Sequence, residues 1–588
     1  MRAAFGLRRD PWSLAFAASA LTFLASLALS SVALWRNDPD NAPRRTDSPS
    51  QAARPVASPE IAGAERLIVA GTIPSTIAHL QFATASTGQT PDVTFSTSDD
   101  AQRGVVTGYL VPVVAWFTGV DALTSPQLAG LLNGTILDWG DVGGVRGPVA
   151  RAIRSADGTY TLFKPGISER TFQTSVEVLG AIGADSGTIA LLPIESVRPS
   201  VMSVSVDGVD IVRRRGDAAQ WPFVQRTIAS ASTKAGRDAL AAMTAAMRAQ
   251  PPRPVTVVAT GDILQSRCSL TQIRATGDWG AALRGPVAAY LAAADLALGS
   301  LDGSIQDVSE PFGCIATTNL TSPPEVLEAF TIAGFDEMTV ATNHVFDCGQ
   351  AACGTKALLQ TLKFLEGVGI KHVGGGANLE EALAPAIFDV RGLRIGVLGF
   401  DDVAAQDLEA TDTSPGTAPL DDDYTEERAA GEPAFFRPAS ELSLVRFKER
   451  IARLKSEVDV VIVQVQSGTE DTHTPSPRSL KALRAAADSG ADVVVGNQAH
   501  WVQAIETRGN AFITYALGNF IFDQVHTPEH TQGYLLETTF IDKRLVAVRF
   551  VPYQIEDRYR PVFATGVLRL KILGDVFKAA KALPERTP

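Results

Sequence analysis

The chain lacks several features that define common classes of protein. It has no excess of positive charge, because 52 Lys and Arg residues face 64 Asp and Glu residues, for a net charge of −12. A nucleic-acid-binding surface needs clustered positive charge to neutralise phosphates, so this composition argues against a nucleic-acid partner. The sequence also contains no Gly-x-Ser-x-Gly elbow, P-loop or Cys-x-x-Cys motif, and the chemistries that depend on them are not indicated.

Cysteine is scarce. The chain has four, Cys268, Cys314, Cys348 and Cys353, and four cysteines allow three disulfide pairings. The close spacing in CGQAAC, with the turn-permitting Gly349, favours a Cys348–Cys353 bridge and leaves Cys268 to pair with Cys314. A four-thiolate zinc site is the alternative, but the spacings do not suit it.

The N-terminus carries an uncharged apolar run over residues 12–35, preceded by Arg2, Arg8 and Arg9. That length can span a bilayer as a helix, and the arginines favour a cytoplasmic N-terminus, which predicts that the bulk of the chain is extracytoplasmic. Alternatively, SSVA before Leu34 is a signal-peptide cleavage site and the protein is secreted. We therefore expect residues 1–36 to form a cytoplasmic stub and transmembrane anchor or signal.

A linker and two α/β domains are predicted to follow. Residues 37–63 are rich in Pro, Ser, Asp and Ala without hydrophobic periodicity, which is typical of a disordered linker. Pro251, Pro252 and Pro254 end a helix and start a strand, so we predict domains at 64–250 and 253–588. In the second domain, PVTVVATGD, GLRIGVLGF, VDVVIVQVQSG and ADVVVGNQAH predict strands and GTKALLQTLKFLEGVGI predicts a helix. This alternation indicates an α/β fold with both sheet faces covered, and strand pairs are expected to end the chain.

The first domain contains four stretches of distinctive sequence: residues 123–144, SADGTYTLF, SGTIALLPIESV and SVDGVDIV. In these stretches it resembles the periplasmic phosphate-binding-protein-like family. The first stretch predicts a helix with Ser125 as N-cap and a stop at Asn133-Gly134.

The loop that holds an anion in that family differs here. Asp157 precedes Gly158-Thr159 where the family has Ser. Because a carboxylate repels phosphate, we expect a periplasmic-binding-protein-like domain that has lost or changed this ligand.

Polar side chains of metal-ligand type follow five predicted strands of the second domain. They are Asp262 in ATGD, Asp302 in GSLDGS, Asn343 and His344 in ATNH, Gln466 and Glu470 in QVQSGTE, and His500 in GNQAH. Any one of them alone is more often a turn, cap or structural residue. Parallel strands, however, bring their carboxyl ends to one edge, where α/β proteins bind ligands. The set therefore predicts a site for a divalent metal, Mn, Mg, Fe or Zn.

Around these residues the chain resembles the CapA family of poly-γ-glutamate capsule biosynthesis proteins, over roughly residues 255–525. The resemblance is carried, in order, by GDIL, ADLALGSLDGSI, VATNHVFDCG, GIKHVGGGANLEEALAP, VDVVIVQVQSGTEDTHTP, GADVVVGNQAHWVQAIE and FITYALGNFIFDQ. It implies a calcineurin-like metallophosphoesterase fold, a layered α/β sandwich. It also implies work on a capsule or cell-envelope polymer: synthesis, export or processing.

The resemblance further implies roles for particular residues. Its metal ligands would be Asp262, Asp302, Asn343 and His500, and its catalytic residues His344 and His500. Residues expected beside the metal or the substrate are Gln466, Glu470, Asn497, Gln498 and Asn519. Asp347 is expected to orient a neighbour or to cap the next helix.

Two imidazoles usual in the family are amides here. The family has His-Trp-Gly where this chain has Gln466-Ser467-Gly468, and Gly-His-x-Pro-His where it has residues 496–500, GNQAH; Ser300 replaces the usual Asn. Amide oxygens bind divalent ions more weakly than imidazoles and suit hard cations, so we expect one ion or none rather than a complete two-metal site. Two hypotheses follow: a metal-dependent hydrolase of a phosphoester or amide bond, or a non-catalytic protein that binds an anionic polymer or small anion.

Other polar residues receive structural interpretations. His473, His526 and His530 lie in polar segments and are expected to be solvated. The glycine-rich VGGGAN leads into Asn378, the expected N-cap of a helix over LEEALAP, and needs no nucleotide. Trp501 is expected either to stack on a ligand or to lie in the core or at its rim.

Overall fold

A computed structural model describes residues 64–584, except 99, 101–102, 156, 185–186, 214–215, 308–312, 316, 319, 348–352 and 423–437. The predicted anchor and linker and Cys348 lie outside the described residues. A helix both long enough and apolar enough to cross a membrane is not found among the residues that are described. Contacts divide the chain into a unit at Met1–Val56, which lies outside the described residues, and a unit at Ala57–Pro588, described below.

The N-terminal region is built on one ten-stranded sheet with a separate two-stranded ribbon. Its strands are β1 Ile68–Gly71, β2 Ala83–Thr84, β3 Val93–Thr97, β4 Val105–Val114, β5 Ala122–Leu123, β6 Ala150–Arg154, β7 Tyr160–Lys164, β8 Ile167–Phe172, β9 Thr188–Pro193, β10 Met202–Ser203, β11 Ser205–Val206 and β12 Val224–Ala231. The sheet order is β2-β1-β3-β12-β4-β9-β6-β7-β8, with β10 beside β4, and β5 pairs with β11. The helices of this region are α1 Ser125–Asn133, α2 Ser175–Ala184 and α3 Lys234–Ala246.

The start of helix α1 differs from the prediction. The N-cap is Thr124, not Ser125: the Thr124 hydroxyl accepts from Gln127 N, and the Gln127 side chain accepts from Thr124 N. This reciprocal arrangement fixes the helix start one residue earlier than predicted. Ser125 instead donates its backbone N–H to the Asp207 carboxylate at 3.0 Å. The predicted end is confirmed, with Gly134 in the left-handed conformation at φ 81°.

The C-terminal region contains two large sheets. Its strands are β13 Val255–Ile263, β14 Leu296–Leu301, β15 Ser304–Ile305, β16 Thr321–Ser322, β17 Glu337–Thr339, β18 Lys371–Val373, β19 Gly375–Gly376, β20 Ala386–Val390, β21 Leu393–Asp401, β22 Gly416–Thr417, β23 Val460–Gln466, β24 Val493–Asn497, β25 Ile505–Arg508, β26 Ala511–Thr514, β27 Asn519–Ile521, β28 Gln532–Ile541, β29 Arg544–Glu556 and β30 Arg560–Phe563. One sheet runs β18-β17-β14-β13-β28-β29-β30 with β27 beside β13, and the other runs β20-β21-β23-β24-β26-β25. The predicted strands β13, β21, β23 and β24 are confirmed.

Among the described residues of this region the helices are α4 Arg267–Thr276, α5 Pro286–Ala292, α6 Leu327–Ala333, α7 Thr355–Gly367, α8 Leu379–Ala382, α9 Val445–Glu457, α10 Pro477–Asp488 and α11 Gly566–Lys581. Helix α7 was predicted. Helix α8 begins, as predicted, after Asn378, whose side chain accepts from Glu381 N at 3.0 Å. Helix α11 was missed, because strand pairs were expected to end the chain; it buries Ile572, Leu573, Val576 and Phe577.

Alternating side chains explain why the two sheets lie between layers of helices. In β13, Val257 belongs to the cluster shared by both sheets, whereas its neighbour Val258 packs with the helices on the other face. In β23, Ile462 belongs to the shared cluster and Val461 to a cluster with α9 and α10. Successive residues of a strand point to opposite faces, so strands buried on both faces read as continuous apolar runs. The structure is a mixed α/β fold, as predicted.

The N-terminal and C-terminal regions share one hydrophobic cluster, which includes Val111 and Ile189 from the first and Val257 and Phe550 from the second. Within the described ranges no strand before residue 252 pairs with one after it. The domain boundary near 252 stays a prediction.

The two sheets of the C-terminal region are also joined by a buried polar contact. Gln464 Nε2 on β23 donates to Glu337 Oε2 on β17 at 2.7 Å, and Glu337 is fully buried. Burial raises the pKa of Glu337 well above its usual range. The fold therefore favours the protonated carboxyl of Glu337. The stability that this preference contributes is fully present below the unfolded-state pKa, and it is lost as pH rises through the folded-state pKa.

We expect Glu337→Gln to stabilise the protein at pH 8 and to change little at pH 5, because glutamine stays neutral while keeping an acceptor for Gln464. The gain at pH 8 should be on the order of 1 kcal/mol, a few degrees in Tm. Thermal unfolding at both pH values checks this, with the exposed Glu325→Gln as control. A gain equal at the two pH values would contradict it.

Candidate functional site

Three buried side chains converge at the carboxyl ends of the parallel strands. Asp262 lies in β13, Asp302 follows β14, and His500 follows β24, so both sheets contribute. One ligand atom from each of the three lies within 4.8 Å of the other two. Their exposed fractions are 1%, 0% and 4%. Two carboxylates and an imidazole at this separation can hold a divalent metal ion.

The turn after β24 directs His500 into this group. Gln498 and His500 have φ of 91° and 58°, the left-handed region that non-glycine residues rarely adopt. Gln498 N donates to Asp262 Oδ2 at 3.3 Å. His500 Nδ1 lies 2.9 Å from Asn519 Oδ1 and 3.5 Å from Asp262 Oδ2. Such strain persists where the surrounding contacts fix it, and it concentrates at functional sites.

Asp262 and Asp302 repel each other in a buried environment. Burial, together with the charge of Asp302, raises the pKa of Asp262 to about 7 against the opposing effects of His500 and Ser300. Burial raises the pKa of Asp302 to about 6, although His344 opposes the rise. A divalent cation between these carboxylates would favour their ionised forms.

Several buried oxygen atoms around this group have no hydrogen-bond donor among the residues the structure describes. They are both carboxylate oxygens of Asp302, Asn343 Oδ1, Gln466 Oε1 and Asn497 Oδ1. A buried acceptor without a partner costs about 1–3 kcal/mol. Because every one of these atoms is an acceptor, the residues present fit a cation and favour a hard one.

His344 is positioned by Asp347. Its Nδ1 lies 2.7 Å from Asp347 Oδ2, so Asp347 orients a neighbour, as predicted. Burial lowers the pKa of His344, but the hydrogen bond to Asp347 and the charges of Asp302, Asp347 and Glu470 outweigh burial and raise the pKa overall. His344 is thus favoured in its protonated form next to the carboxylates.

Gln466, one of the two amides that stand in the place of the family's imidazoles, is hydrogen-bonded within the site. Gln466 Nε2 donates to Gln498 Oε1 at 2.8 Å, and Gln498 Nε2 donates to Glu470 Oε1 at 3.2 Å. Asn497 is buried at the end of β24, in register with Gln466. The predicted supporting residues therefore lie at the site, and their roles stay predictions.

Some expectations for other residues need correction. His530 is 2% exposed, not solvated, because its Nε2 bonds to Asp471 Oδ1 at 2.6 Å across 59 residues. His473 is half-buried, with Nδ1 2.6 Å from the carbonyl of Val502. The half-buried Trp501 packs between His473 and His530, with ring centroids 5.1 and 5.9 Å away, which agrees with a rim position.

One of the two predicted cysteine pairings is confirmed. Cys268 and Cys314 form a disulfide, which rules out a four-thiolate zinc site. Cys353 is also disulfide-bonded, and its predicted partner, Cys348, lies outside the described residues.

Sequence reasoning missed the acids at the end of β21. Asp401 is buried in register with Gln466, and burial raises its pKa to about 6. Asp402 pairs with the buried Arg478, with Arg478 Nη2 2.6 Å from Asp402 Oδ1. The signal was present, since GLRIGVLGF is followed directly by two aspartates.

A protein-family model matches the region that contains this site. The family model "Bacterial capsule synthesis protein PGA_cap" matches residues 256–524. The chain is 28% identical over 239 residues to "Capsule biosynthesis protein CapA" of Bacillus anthracis, covering 41% of this chain and 52% of that protein. It is 30% identical over 207 residues to "PGA biosynthesis protein CapA" of Bacillus subtilis (strain 168), covering 35% of this chain and 47% of that protein. The chain thus spans about half the length of these relatives.

Solved structures show weaker likenesses. An ABC-type phosphate transport receptor from Vibrio cholerae has a TM-score of 0.23 at 15% identity, covering 30% of this chain and 93% of that one. The protein TT1561 of Thermus thermophilus has a TM-score of 0.23 at 11% identity, covering 49% and 99%. TM-scores this low support no conclusion. Asp262, Asp302 and His500 all lie within residues 256–524, the region that matches the bacterial capsule synthesis protein family model.

Proposed function

We propose that this protein acts in the synthesis, export or processing of an anionic capsule or cell-envelope polymer of the poly-γ-glutamate type, as a metal-dependent hydrolase. The observation that carries the proposal is the buried group of Asp262, Asp302 and His500. The similarity to two proteins named for capsule and PGA biosynthesis supports a polymer of this type as the substrate. The basic and apolar N-terminal sequence supports a single-pass anchor with the bulk of the chain extracytoplasmic.

Four residues are the proposed ligands of the cation. Asp262, Asp302 and His500 would hold the cation, with Asn343 as a further ligand. When bound there, a divalent cation supplies Lewis acidity and activates a water molecule. Its neighbours include neutral amide oxygens, which favours Mg²⁺ or Mn²⁺ over Zn²⁺.

His344 is the proposed general acid. Its raised pKa keeps a proton available, and Asp347 fixes the ring so that the other nitrogen can donate to a leaving group. For a γ-linked glutamate polymer the bond broken is an amide and the leaving group is an amine.

A non-catalytic binding protein is the second candidate. The hydrogen bond between Gln466 and Gln498 favours it, because it occupies the Gln498 oxygen and leaves fewer ligands for a second ion. In this case the carboxylate-rich group holds one structural ion, and the protein binds an anionic polymer without cleaving it.

The N-terminal region would contribute binding in either case, as a periplasmic-binding-protein-like domain. Asp157 Oδ1 accepts from the Thr159 backbone N–H at 3.0 Å and from the Thr159 hydroxyl at 2.8 Å. A carboxylate from the chain itself therefore takes donors of the loop that an anion would use, which supports a lost or changed ligand.

The test incubates purified γ-linked polyglutamate with the full chain and Mg²⁺, Mn²⁺ or Zn²⁺. Hydrolysis is measured by the appearance of new amino groups. We expect turnover with a hard cation. We expect His344→Gln to lower kcat about 100-fold or more, the usual contribution of a general acid, while metal binding is retained. His372→Gln, on β18 and paired with Glu366, is the matched control. If the protein binds metal but shows no turnover under any condition, hydrolysis is contradicted and the non-catalytic binding protein remains.

A further inference from the structure

A cavity of about 700 Å³ lies beside the group of Asp262, Asp302 and His500, which is called the metal-ligand group below. None of the roles proposed above involves this cavity. Its lining includes Arg267, Cys268, Cys314, Asp523, His526 and Arg558. The Cys268–Cys314 disulfide forms part of its wall and ties the start of helix α4 to the segment around residue 314. This cavity is called the Arg558 pocket below.

The Arg558 pocket is connected to His500 through Phe522 and Gln524, which follow β27. Gln524, which lines the pocket, accepts from Asn519 Nδ2 at 3.1 Å, and Asn519 Oδ1 lies 2.9 Å from His500 Nδ1. The Phe522 ring lies 5.0 Å from the His500 ring and 5.8 Å from the guanidinium carbon of Arg267. One aromatic ring therefore separates the pocket wall from the proposed metal ligand.

Arg267 is fixed in the pocket wall. It forms an ion pair with Asp523, and its Nη1 donates to the carbonyl of Thr317 at 2.6 Å. Asp523 also accepts from Cys268 N at 2.9 Å, at the start of helix α4. The charges of Arg267 and Asp523 offset each other, yet Arg267 Nε is buried and has no acceptor within the described ranges.

Arg558 supplies the charge that is not offset. It is exposed, in the turn between β29 and β30, and it has no ion-pair partner in the part of the chain that the structure describes. The acids beside it are engaged elsewhere, since Arg560 Nη2 lies 2.9 Å from both Glu556 and Asp557. The pocket is thus a local positive site in a chain of net charge −12.

We propose that the Arg558 pocket is a subsite for a carboxylate of the polymer, held next to the bond at the metal-ligand group; this rests on the proposed function. A guanidinium pairs with a carboxylate through two parallel hydrogen bonds. The Asp523 carboxylate in the wall disfavours a doubly charged phosphate more than a singly charged carboxylate. A γ-linked glutamate chain carries one free carboxylate per residue, so one residue beside the scissile amide reaches the pocket.

The test compares Arg558→Ala with Arg274→Ala, an exposed arginine of helix α4 outside the pocket lining, in the full chain. Both are titrated with γ-linked hexaglutamate, with Mn²⁺ and after metal removal. We expect Arg558→Ala to weaken binding about tenfold in both conditions and to raise KM rather than lower kcat, with Arg274→Ala unchanged. Equal affinities of the two variants would overturn the proposal. Inorganic phosphate competing at lower concentration than acetate would overturn the assignment to a carboxylate.

The same experiment separates this subsite from the proposed hydrolysis. Binding that depends on Arg558 without any turnover supports the pocket and counts against hydrolysis. Turnover with an unchanged KM in Arg558→Ala supports hydrolysis and overturns the pocket. Because Arg558 is exposed, its replacement is not expected to impair folding.

Discussion

His500→Ala is expected to abolish stoichiometric binding of a divalent cation. The change removes the one imidazole from the group and leaves two buried carboxylates with raised pKa values, about 7 for Asp262 and about 6 for Asp302, so that protons compete with a cation for them. The loss of affinity should exceed the roughly 10–100-fold typical of residues that only support a ligand. Metal analysis after dialysis, with titration calorimetry in Mn²⁺, measures it.

His473→Ala is the matched control for this prediction. His473 lies near the same loop and packs on Trp501, but it is outside the three-residue group. It should keep the affinity of the unchanged protein. Should both variants bind Mn²⁺ equally well, His500 is not a ligand and the site has been placed wrongly.

Asp121→Asn is expected to destabilise the whole protein by about 1.5–3 kcal/mol, because it leaves the half-buried guanidinium groups of Arg549 and Arg569 without their carboxylate. Arg549 Nη2 and Nε lie 2.6 and 3.0 Å from Asp121 Oδ2, and Arg569 Nη2 lies 3.4 Å from Oδ1. Asp121 precedes β5, whereas Arg549 and Arg569 belong to β29 and α11. The cluster thus joins the N-terminal and C-terminal regions.

The pH dependence of Asp121 has a definite sign. Burial raises its pKa, but the charges of Arg549, Arg569 and Arg213 outweigh burial and hold the pKa well below its usual range. The stability it contributes is therefore present above the unfolded-state pKa and is lost as pH falls below about 4. Denaturant unfolding at pH 7 tests the variant, with the exposed Asp141→Asn as control. A loss below about 1 kcal/mol would mean that the cluster does not hold the regions together.

The positions of Asp262, Asp302 and His500 were predictable because their determinants are local. Asp262 lies at the end of an apolar strand and Asp302 and His500 each follow one, and parallel strands of one sheet end at one edge. The facing of the two sheets, which brings His500 to Asp262, came only from the family resemblance. Strand patterns specify which residues are buried, but not which sheet lies opposite.

Contacts between distant segments were not predictable from sequence. The bond from His530 to Asp471 spans 59 residues, and the pair of Arg478 and Asp402 spans 76. Each of these side chains sits in a polar or helical stretch that looks solvated by itself. The burial of His530, Arg478 and Asp402, and the pairing of the exposed Asp471 with His530, depend on the packing of other elements, which no local pattern records.

Two local errors have physical explanations. Thr124 and Ser125 are both good N-caps, and the choice was decided by Gln127, which lies three residues after Thr124 and completes a capping box. Helix α11 was overlooked although Ile572, Leu573 and Val576 recur at helical spacing. Gly566 and Gly574 lower the intrinsic helix propensity of that stretch, and its stability comes from packing on the shared core.

Anomalous diffraction from crystals of the protein grown with Mn²⁺ tests the central claim most directly. We predict one Mn²⁺ peak about 2.0–2.6 Å from carboxylate oxygens of Asp262 and Asp302 and from a ring nitrogen of His500. A peak elsewhere in the molecule, or none at saturating Mn²⁺, would contradict the claim that these three residues hold a cation.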